Sequence, residues 1–369
     1  MLRFLTAGES HGPAEIAILE GIPAGMSLSV DDIQPDLEKR RGGLGRGGRG
    51  KIETDEVEIL AGVRFGKTLG SPIALMVKNL DSENWKVKMS IGAKPNHLEG
   101  GLTWHVNTIT NPRPGHADLS GSLKYNFDDI RNVIERASAR ETVMRVAIGA
   151  ICKKFLTEFD IAISSQIIQI GKVQLSKSFD SKKIEEVILD ATKRKDTLGG
   201  VIEIIAQNVP PGLGSYVQWD KRLDGKLAGS LMSIPSVKAV EIGDGIANAS
   251  YLGSEVHDEI YYDKKRKFYR QTNRAGGIEG GVSNGEDIIC RIYLKPLSTL
   301  GKPLNTVDIK TKKKTEALIE RSDICVVPRA GVIAESMIAF VLADAFLEKF
   351  GGDSLSETKR NFAAYLRGL

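Results

Sequence analysis

The chain has 369 residues, 41% apolar and 27% charged, a balance that supports a buried core and excludes a disordered or fibrous protein. Its 51 Lys and Arg against 47 Asp and Glu leave a formal charge of +4, too little for a chain that coats nucleic acid along its length, so no nucleic-acid partner is expected. Cys152, Cys290 and Cys325 lie far apart and form no CxxC pair, which argues against a disulfide framework or a thiolate metal site and fits a reducing cytoplasm. Glu9 and His11 come too early for a signal-peptide apolar core. The richest apolar run, Ser336 to Phe346, is broken by Asp344, so no membrane span is expected.

In chain order, Ile16 to Leu19 reads as a short strand ended by Gly21 and Pro23, and Val30 to Arg41 as a helix capped by Asp31 or Asp32 with Arg40 and Arg41 in its last turn. Residues 53 to 78 read as a hairpin of two strands around Gly66, and 79 to 118 as loop without a clear period. Residues 129 to 159 carry the clearest helical period, with a broad apolar face from Ile130 to Phe155. Strand is expected over 161 to 175, an amphipathic helix over 181 to 195, strand over 199 to 209 and a short helix over 223 to 232. Further strands are expected at 237 to 242 and 287 to 294, and a second long apolar helix at 328 to 350. Helices and strands alternate without a Pro/Ser linker, so residues 1 to 369 are read as one α/β domain. The charge run Lys310 to Lys314 reads as a solvated face.

Two familiar patterns are rejected. AGVRFGKT (61 to 68) loosely matches a P-loop, but Gly70 and Pro72 stand where the phosphate-binding helix must begin. GLGRGG (43 to 48) matches a dinucleotide fingerprint, but it follows a charged helix and precedes a strand. The same run resembles an RNA-binding arginine–glycine tract yet lacks the aromatics that stack on bases.

Glycine is the compositional outlier, at 39 residues. From Lys39 to Lys51 six cations and six glycines share the run KRRGGLGRGGRGK. It is either a solvated loop or an anion clamp in which Arg40, Arg46 and Arg49 are bidentate donors, each charge-assisted bond contributing roughly 1.5–3 kcal/mol. NPRPGHAD holds Arg113, His116 and Asp118 in a proline-stiffened turn, and GESHG places His11 between glycines near the start. Arg136 and Arg140, four residues apart on the expected helix, pair like charges on one face; either a bound anion or Glu135 and Glu141 compensates them. GGIEGGVSNG (276 to 285) reads as a backbone-lined ligand wall. In RSD (321 to 323), Arg321 and Asp323 are either a structural ion pair or a base steered by an arginine.

Taken in order, GESHG, RRGGLGRGGRGKIETDEVEILAGV, RPGHAD, ERASARETVMRVAIGA, NVPPGLG, VEIGDG, NRAGGIEGGVSNG and RSDICVVPRAG resemble the chorismate synthases nearly end to end. The resemblance implies a β-α-β sandwich with helices packed between sheets, a homotetramer, and an anti-1,4-elimination of phosphate from 5-enolpyruvylshikimate 3-phosphate that requires reduced FMN without net redox change. It implies that Arg40, Arg46, Arg49, Arg113, Arg140 and Arg321 bind the substrate anions, and that Arg40 and Arg46 meet NADPH in members that reduce their own flavin. FMN would be held by Arg136, Ala137, Ser138, Asn248, Ala249, Gly280, Lys295, Pro296, Leu297, Ser298, Thr299 and Arg321. His11 would donate a proton to the flavin, His116 would act as acid near the leaving phosphate, and Asp323 would help remove the substrate proton. A flavin oxidoreductase using NADPH is the alternative reading.

Overall fold

Alternating inward and outward residues in the N-terminal segment build the first sheet. In the computed structural model, which describes residues 1–43, 45, 52–92, 107–175, 181–320 and 322–369, it comprises β1 (Arg3–Ala7), β2 (Ala14–Glu20), β3 (Val57–Ala61) and β4 (Ile73–Lys78). Their order is β1-β2-β4-β3, and every neighbouring pair is antiparallel. Ala17, Leu19, Ile73, Leu75 and Val77 are buried on the inner face, while Leu5, Ile16, Ile18 and Leu60 are exposed on the outer one. The expected hairpin over 53 to 78 is present as β3 and β4. Their connection folds back as a smaller hairpin, Val63–Arg64 with Lys67–Thr68, which turns at Phe65 (φ 51) and Gly66 (φ 69). No helix follows this turn before β4, so AGVRFGKT does not form a phosphate loop.

The second sheet comprises β5 (Ala162–Ile170), β6 (Val173–Gln174), β7 (Gly200–Gln207), β8 (Val237–Ile242) and β9 (Ile288–Leu294). Its order is β8-β9-β7-β5-β6, again antiparallel throughout. The α-helices longer than one turn are α1 (Gln34–Arg41), α2 (Asp118–Tyr125), α3 (Arg131–Arg136), α4 (Thr142–Thr157), α5 (Ser181–Lys193), α6 (Leu223–Met232), α7 (Val327–Phe350) and α8 (Leu355–Arg367).

The two apolar helices fill the space between the sheets. α4 lies against β2 and β4, α7 against β5 and β7, and the two helices pack on each other, which is the expected β-α-β sandwich. Gly149 permits the contact: a Cβ there would stand 2.1 Å from the Cβ of Ser336. Further along, Phe155 and Phe159 meet Phe346 at ring-centroid distances of 5.8 and 4.3 Å. The helices therefore run in the same direction and begin at the same end of the sandwich. By length and composition α7 is apolar enough to cross a membrane, in contrast to the sequence expectation, but 78% of its most apolar window is buried inside the protein. A helix covered on all sides by protein is apolar all round for that reason.

The clearest helical period, 129 to 159, is not one helix. α3 ends at Arg136, a 3-10 turn covers Ala139–Glu141, and α4 begins at Thr142. Ser138 takes an extended backbone (ψ 141) and its Oγ accepts the Arg140 N–H, the arrangement of a helix-capping serine. Arg136 and Arg140 are therefore in different elements and not on one helical face. The cap of the first helix also differs. The Asp32 carboxylate accepts the Ser29 N–H, starting a 3-10 turn at Val30–Asp32 that precedes α1. β1, α2 and α8 form where no element was expected. Lys310 to Lys314 are all exposed.

The Gly149–Ser336 contact makes a specific demand. Gly149→Val should destabilise the protein by at least about 2 kcal/mol, because the Cβ and Cα of Ser336 in α7, which no rotamer change can move, block the new atoms. Denaturant unfolding checks this; a midpoint equal to wild type would show that the two helices can separate freely.

Candidate active site

The GESHG turn between β1 and β2 is held from three sides. Glu135, buried in α3, accepts the backbone N–H of His11 (2.8 Å) and contacts its Nδ1 at 2.9 Å, while the Glu135 carbonyl accepts the Ser10 N–H at 3.0 Å. Asn79 donates from Nδ2 to the carbonyls of Gly12 (2.9 Å) and Glu9 (3.1 Å). Arg136 donates to the carbonyls of Thr6 (3.0 Å) and Gly8 (3.1 Å). The His11 ring stacks on Trp85 with centroids 3.8 Å apart and planes 24° from parallel. Arg131 completes the group, 3.2 Å from Glu135 and 2.7 Å from Glu320. Burial pushes the Glu135 carboxyl upward, but the His11 hydrogen bonds and the Arg131 charge outweigh it and hold the group below the usual carboxylate range. A cavity of about 670 Å³ opens beside Glu9, Arg131 and Glu135, within the ~300–1,000 Å³ typical of small-molecule sites.

The second histidine is fixed by the same device. Asp118, at the start of α2 and 0% exposed, lies 2.5 Å from His116 Nδ1. It also accepts two bonds from the Arg113 guanidinium, at 2.8 and 3.0 Å, and the Arg113 backbone N–H at 3.0 Å. Burial opposes ionisation of Asp118, yet the hydrogen bonds and charges of His116 and Arg113 hold its carboxyl far below the usual range. Arg113 then donates from Nη1 to Thr299 Oγ1 at 2.8 Å. Lys295 donates to the Gly115 carbonyl at 2.7 Å and contacts Ser298 Oγ at 2.9 Å. Burial, then the charge of Lys238, lowers the Lys295 pKa. Leu297 accepts the Thr197 hydroxyl through its carbonyl at 2.8 Å, anchoring the Pro296–Leu297 bend beyond β9. Two segments about 180 residues apart, RPGHAD and KPLST, thus form one constellation.

Arg40 and Arg140 share a carboxylate. Arg40 donates to Asp55 Oδ2 at 3.0 Å, to Thr142 Oγ1 at 3.0 Å and to the Ala139 carbonyl at 2.9 Å. Arg140 pairs with Asp55 Oδ1, donates to Asn79 Oδ1 at 2.8 Å and lies 3.5 Å from Glu53. Asp323 pairs with Arg329 of α7. The glycine run after α1 packs against this turn: the Ile324 N–H donates to the Gly45 carbonyl at 2.8 Å, and a Cβ on Gly43 would stand 3.0 Å from Pro328. Arg46, Arg49 and Arg321 lie outside the described residues.

The expected flavin residues fall into groups. Arg136, Ala137 and Ser138 stand where α3 breaks, beside the GESHG turn. Lys295 to Thr299 lie beyond the C-terminal end of β9. Asn248 and Ala249 end the one-turn helix Gly245–Asn248 at the opposite end of the β8–β9 ladder, about 20 Å away by strand rise. Gly280 turns the hairpin Ile278–Glu279/Val282–Ser283 at that same end. Among the described residues Asn248 Oδ1 is buried without a hydrogen-bond partner. Each group by itself offers donors or acceptors of the kind a phosphorylated heterocycle such as FMN needs: an ammonium and hydroxyls at Lys295 to Thr299, the guanidinium of Arg136, an orphaned amide oxygen at Asn248. The ligand wall expected at 276 to 285 has a different origin for most of its glycines. A Cβ on Gly276 would stand 2.4 Å from the Gly243 nitrogen and one on Gly277 2.5 Å from the Asp287 carbonyl, so these positions let backbone meet backbone. Gly280 alone of the five faces open space within 4 Å.

Sequence reading missed Trp85, Glu53, Asp55 and Arg329. Trp85 lay in a segment without period, and nothing in the sequence marks acidic residues such as Glu53 and Asp55 as buried partners of distant arginines. Glu15 is the other omission. It is 1% exposed on the inner face of β2, 3.8 Å from Arg136, and its Oε2 accepts no hydrogen bond among the described residues. Burial, resisted by the charges of Arg140 and Arg136, pushes its pKa from 4.5 up to about 7. A folded-state pKa above the unfolded one means that this group's contribution to stability is present below pH 4.5 and is lost as the pH climbs through 7. Glu15→Gln should remove that loss, gaining up to about 3 kcal/mol over wild type between pH 5 and pH 8. Urea unfolding at both pH values measures the difference; a pH-independent gap between the two proteins would show that Glu15 is charged throughout.

A family model described as chorismate synthase matches residues 2–347. Chorismate synthase of Aquifex aeolicus (strain VF5) is 51% identical, over 99% of this chain and 97% of that protein. That of Alkaliphilus oremlandii (strain OhILAs) is 52% identical, over 100% of this chain and 99% of its own length. A crystal structure of chorismate synthase is similar with a TM-score of 0.77 at 39% identity, covering 100% of this chain and 98% of the other. The chain belongs to the chorismate synthase family and is a lyase of that type.

Proposed function

We propose that the protein eliminates phosphate from 5-enolpyruvylshikimate 3-phosphate with reduced FMN bound, and that the residues assembled above divide the work. The observation that carries this reading is the joining of Arg113, His116 and Asp118 to Lys295, Ser298 and Thr299. A carbon–oxygen bond to phosphate breaks, a proton leaves a carbon elsewhere on the ring, and a new double bond takes up the electrons, so no redox change remains at the end. Reduced FMN supplies an electron-rich ring beside the reacting carbons.

His116, its Nδ1 on Asp118, is the acid for the departing phosphate, and Arg113 and Lys295 neutralise the charge that develops there. His11, its Nδ1 on Glu135, is left with Nε2 as the atom that hands a proton toward the flavin. Asp323 receives the proton from the substrate carbon. Arg40, Arg46, Arg49, Arg140 and Arg321 surround the substrate's carboxylates and phosphate. Arg136, Ala137, Ser138, Asn248, Ala249, Gly280 and the segment Lys295, Pro296, Leu297, Ser298 and Thr299 hold the cofactor. If the protein reduces its own flavin, NADPH is the reductant and meets Arg40 and Arg46.

The same reading places the protein in the cytoplasm, which its three buried free thiols support. It assigns a homotetramer, supported by the exposed apolar outer face of the first sheet and by the separation of the cofactor residues into groups at opposite ends of one ladder.

Anaerobic protein with reduced FMN and the enolpyruvyl substrate should release phosphate while the flavin ends reduced. Stoichiometric flavin oxidation without phosphate release would favour an oxidoreductase. A parallel arm with NADPH and oxidised FMN alone tests self-reduction. His116→Ala should slow phosphate release roughly 10²–10⁴-fold with FMN affinity unchanged, as expected for loss of a general acid. Unaltered turnover would remove that role from His116.

A further inference from the structure

Arg329 is the third residue of α7, in the first turn of a helix whose N-terminal end carries partial positive charge. A cation is unfavourable there unless anions compensate it. One anion is visible: Nη1 pairs with Asp323. The opposite edge of the guanidinium is the informative one. Nε and Nη2 are both buried, and neither makes a hydrogen bond among the described residues. That edge is the side-on fork which grips a carboxylate or phosphate with two parallel N–H bonds. Buried guanidinium groups are ordinarily satisfied, as Arg113 is here by Asp118 through Nε and Nη2 and by Thr299 through Nη1.

The surroundings agree. Gly43 and Gly45, just after α1, pack on the segment Ile324 to Pro328 that leads into Arg329. α4 begins at the same end of the sandwich as α7, and Arg40 reaches the start of α4 at Ala139 and Thr142. Arg40 and Arg140 are engaged by Asp55 and Glu53. Arg329 differs in having a whole edge without a hydrogen-bond partner among the described residues.

We propose that Arg329 is a substrate-binding and positioning residue: Nη1 orients Asp323 while the Nε–Nη2 edge takes one oxyanion of the substrate, a carboxylate or a phosphate, in a two-pronged bond. This rests on the substrate and on the role given to Asp323 under the proposed function. The guanidinium then fixes the distance between the bound anion and the base, which an ammonium, being a point charge on a flexible stem, does not.

The test uses the full chain with oxidised FMN present and three proteins: wild type, Arg329→Met and Arg329→Lys. Calorimetric titration with shikimate 3-phosphate should show affinity about tenfold or more weaker in both variants, the loss expected of one charge-assisted bond or more. FMN affinity should be unchanged. Titration with shikimate, which lacks the phosphate, separates the sources. A loss confined to the phosphorylated compound assigns the phosphate, and an equal loss with both assigns the carboxylate. Inorganic phosphate alone should raise the melting midpoint of wild type more than that of either variant if the oxyanion is the phosphate; equal shifts assign the carboxylate when both sugar acids bind more weakly. Arg329→Lys keeps the charge beside Asp323, so if Arg329→Met does not fold, the lysine variant carries the comparison. Wild-type affinity for both sugar acids in a folded variant overturns the proposal. A wild type that releases no phosphate in the assay above, yet loses anion affinity on substitution, would instead count against the proposed reaction.

Discussion

A cation buried in this protein is stable only beside a carboxylate buried with it, and the site is organised by that requirement. Arg113 and His116 rest on Asp118, His11 and Arg131 on Glu135, Arg40 and Arg140 on Asp55. Removing such groups from water costs several kcal/mol each, and the mutual attraction repays it only when geometry is good and the remaining donors find partners. The repayment here comes from two-pronged contacts and backbone N–H groups donated to the same carboxylates. These pairs add little to net stability. They make each cation's position expensive to change, so the arrangement exists before any ligand arrives and costs nothing to assemble at the moment of reaction.

The sandwich supplies the frame for this charge network. Two helices that run the same way between antiparallel sheets bring two helix N-termini to one end, and the 3-10 turn and serine cap before α4 send Arg136 and Arg140 in different directions. Arg136 closes the GESHG turn and Arg140 closes the Asp55 network, and Asn79 links the two by touching both. The glycine contact at Gly149 sets how closely the two helices approach. Glu15 shows the opposite solution to the burial problem. Burial outweighs the two nearby arginines, Oε2 accepts no hydrogen bond among the described residues, and its carboxyl is driven toward the neutral form.

Much of the fold was legible in local pattern. α6, β8 and α7 fall within a residue of where apolar period and breakers place them, and the hairpin around Gly66 follows from its turn residues. The block order from GESHG to RSDICVVPRAG carried the family, and it named both histidines, Asp323 and the site's arginines other than Arg131 and Arg329. Period failed where a cap overrode it, at Ser138, because a serine oxygen satisfying one N–H breaks a helix without disturbing the apolar spacing. It also failed for β1, whose five residues are too few to show alternation against chance.

Residue types and their spacing thus determined the chemistry available to the chain: an excess of guanidinium groups near glycine, two histidines in tight turns, and an apolar helix pair to bury. Tertiary structure alone decided which acid answers which cation. Glu135 meets a histidine 124 positions away and Thr299 meets an arginine 186 positions away. Such partnerships are set by the desolvation of both members together, a property of the packed interior that no stretch of chain possesses by itself.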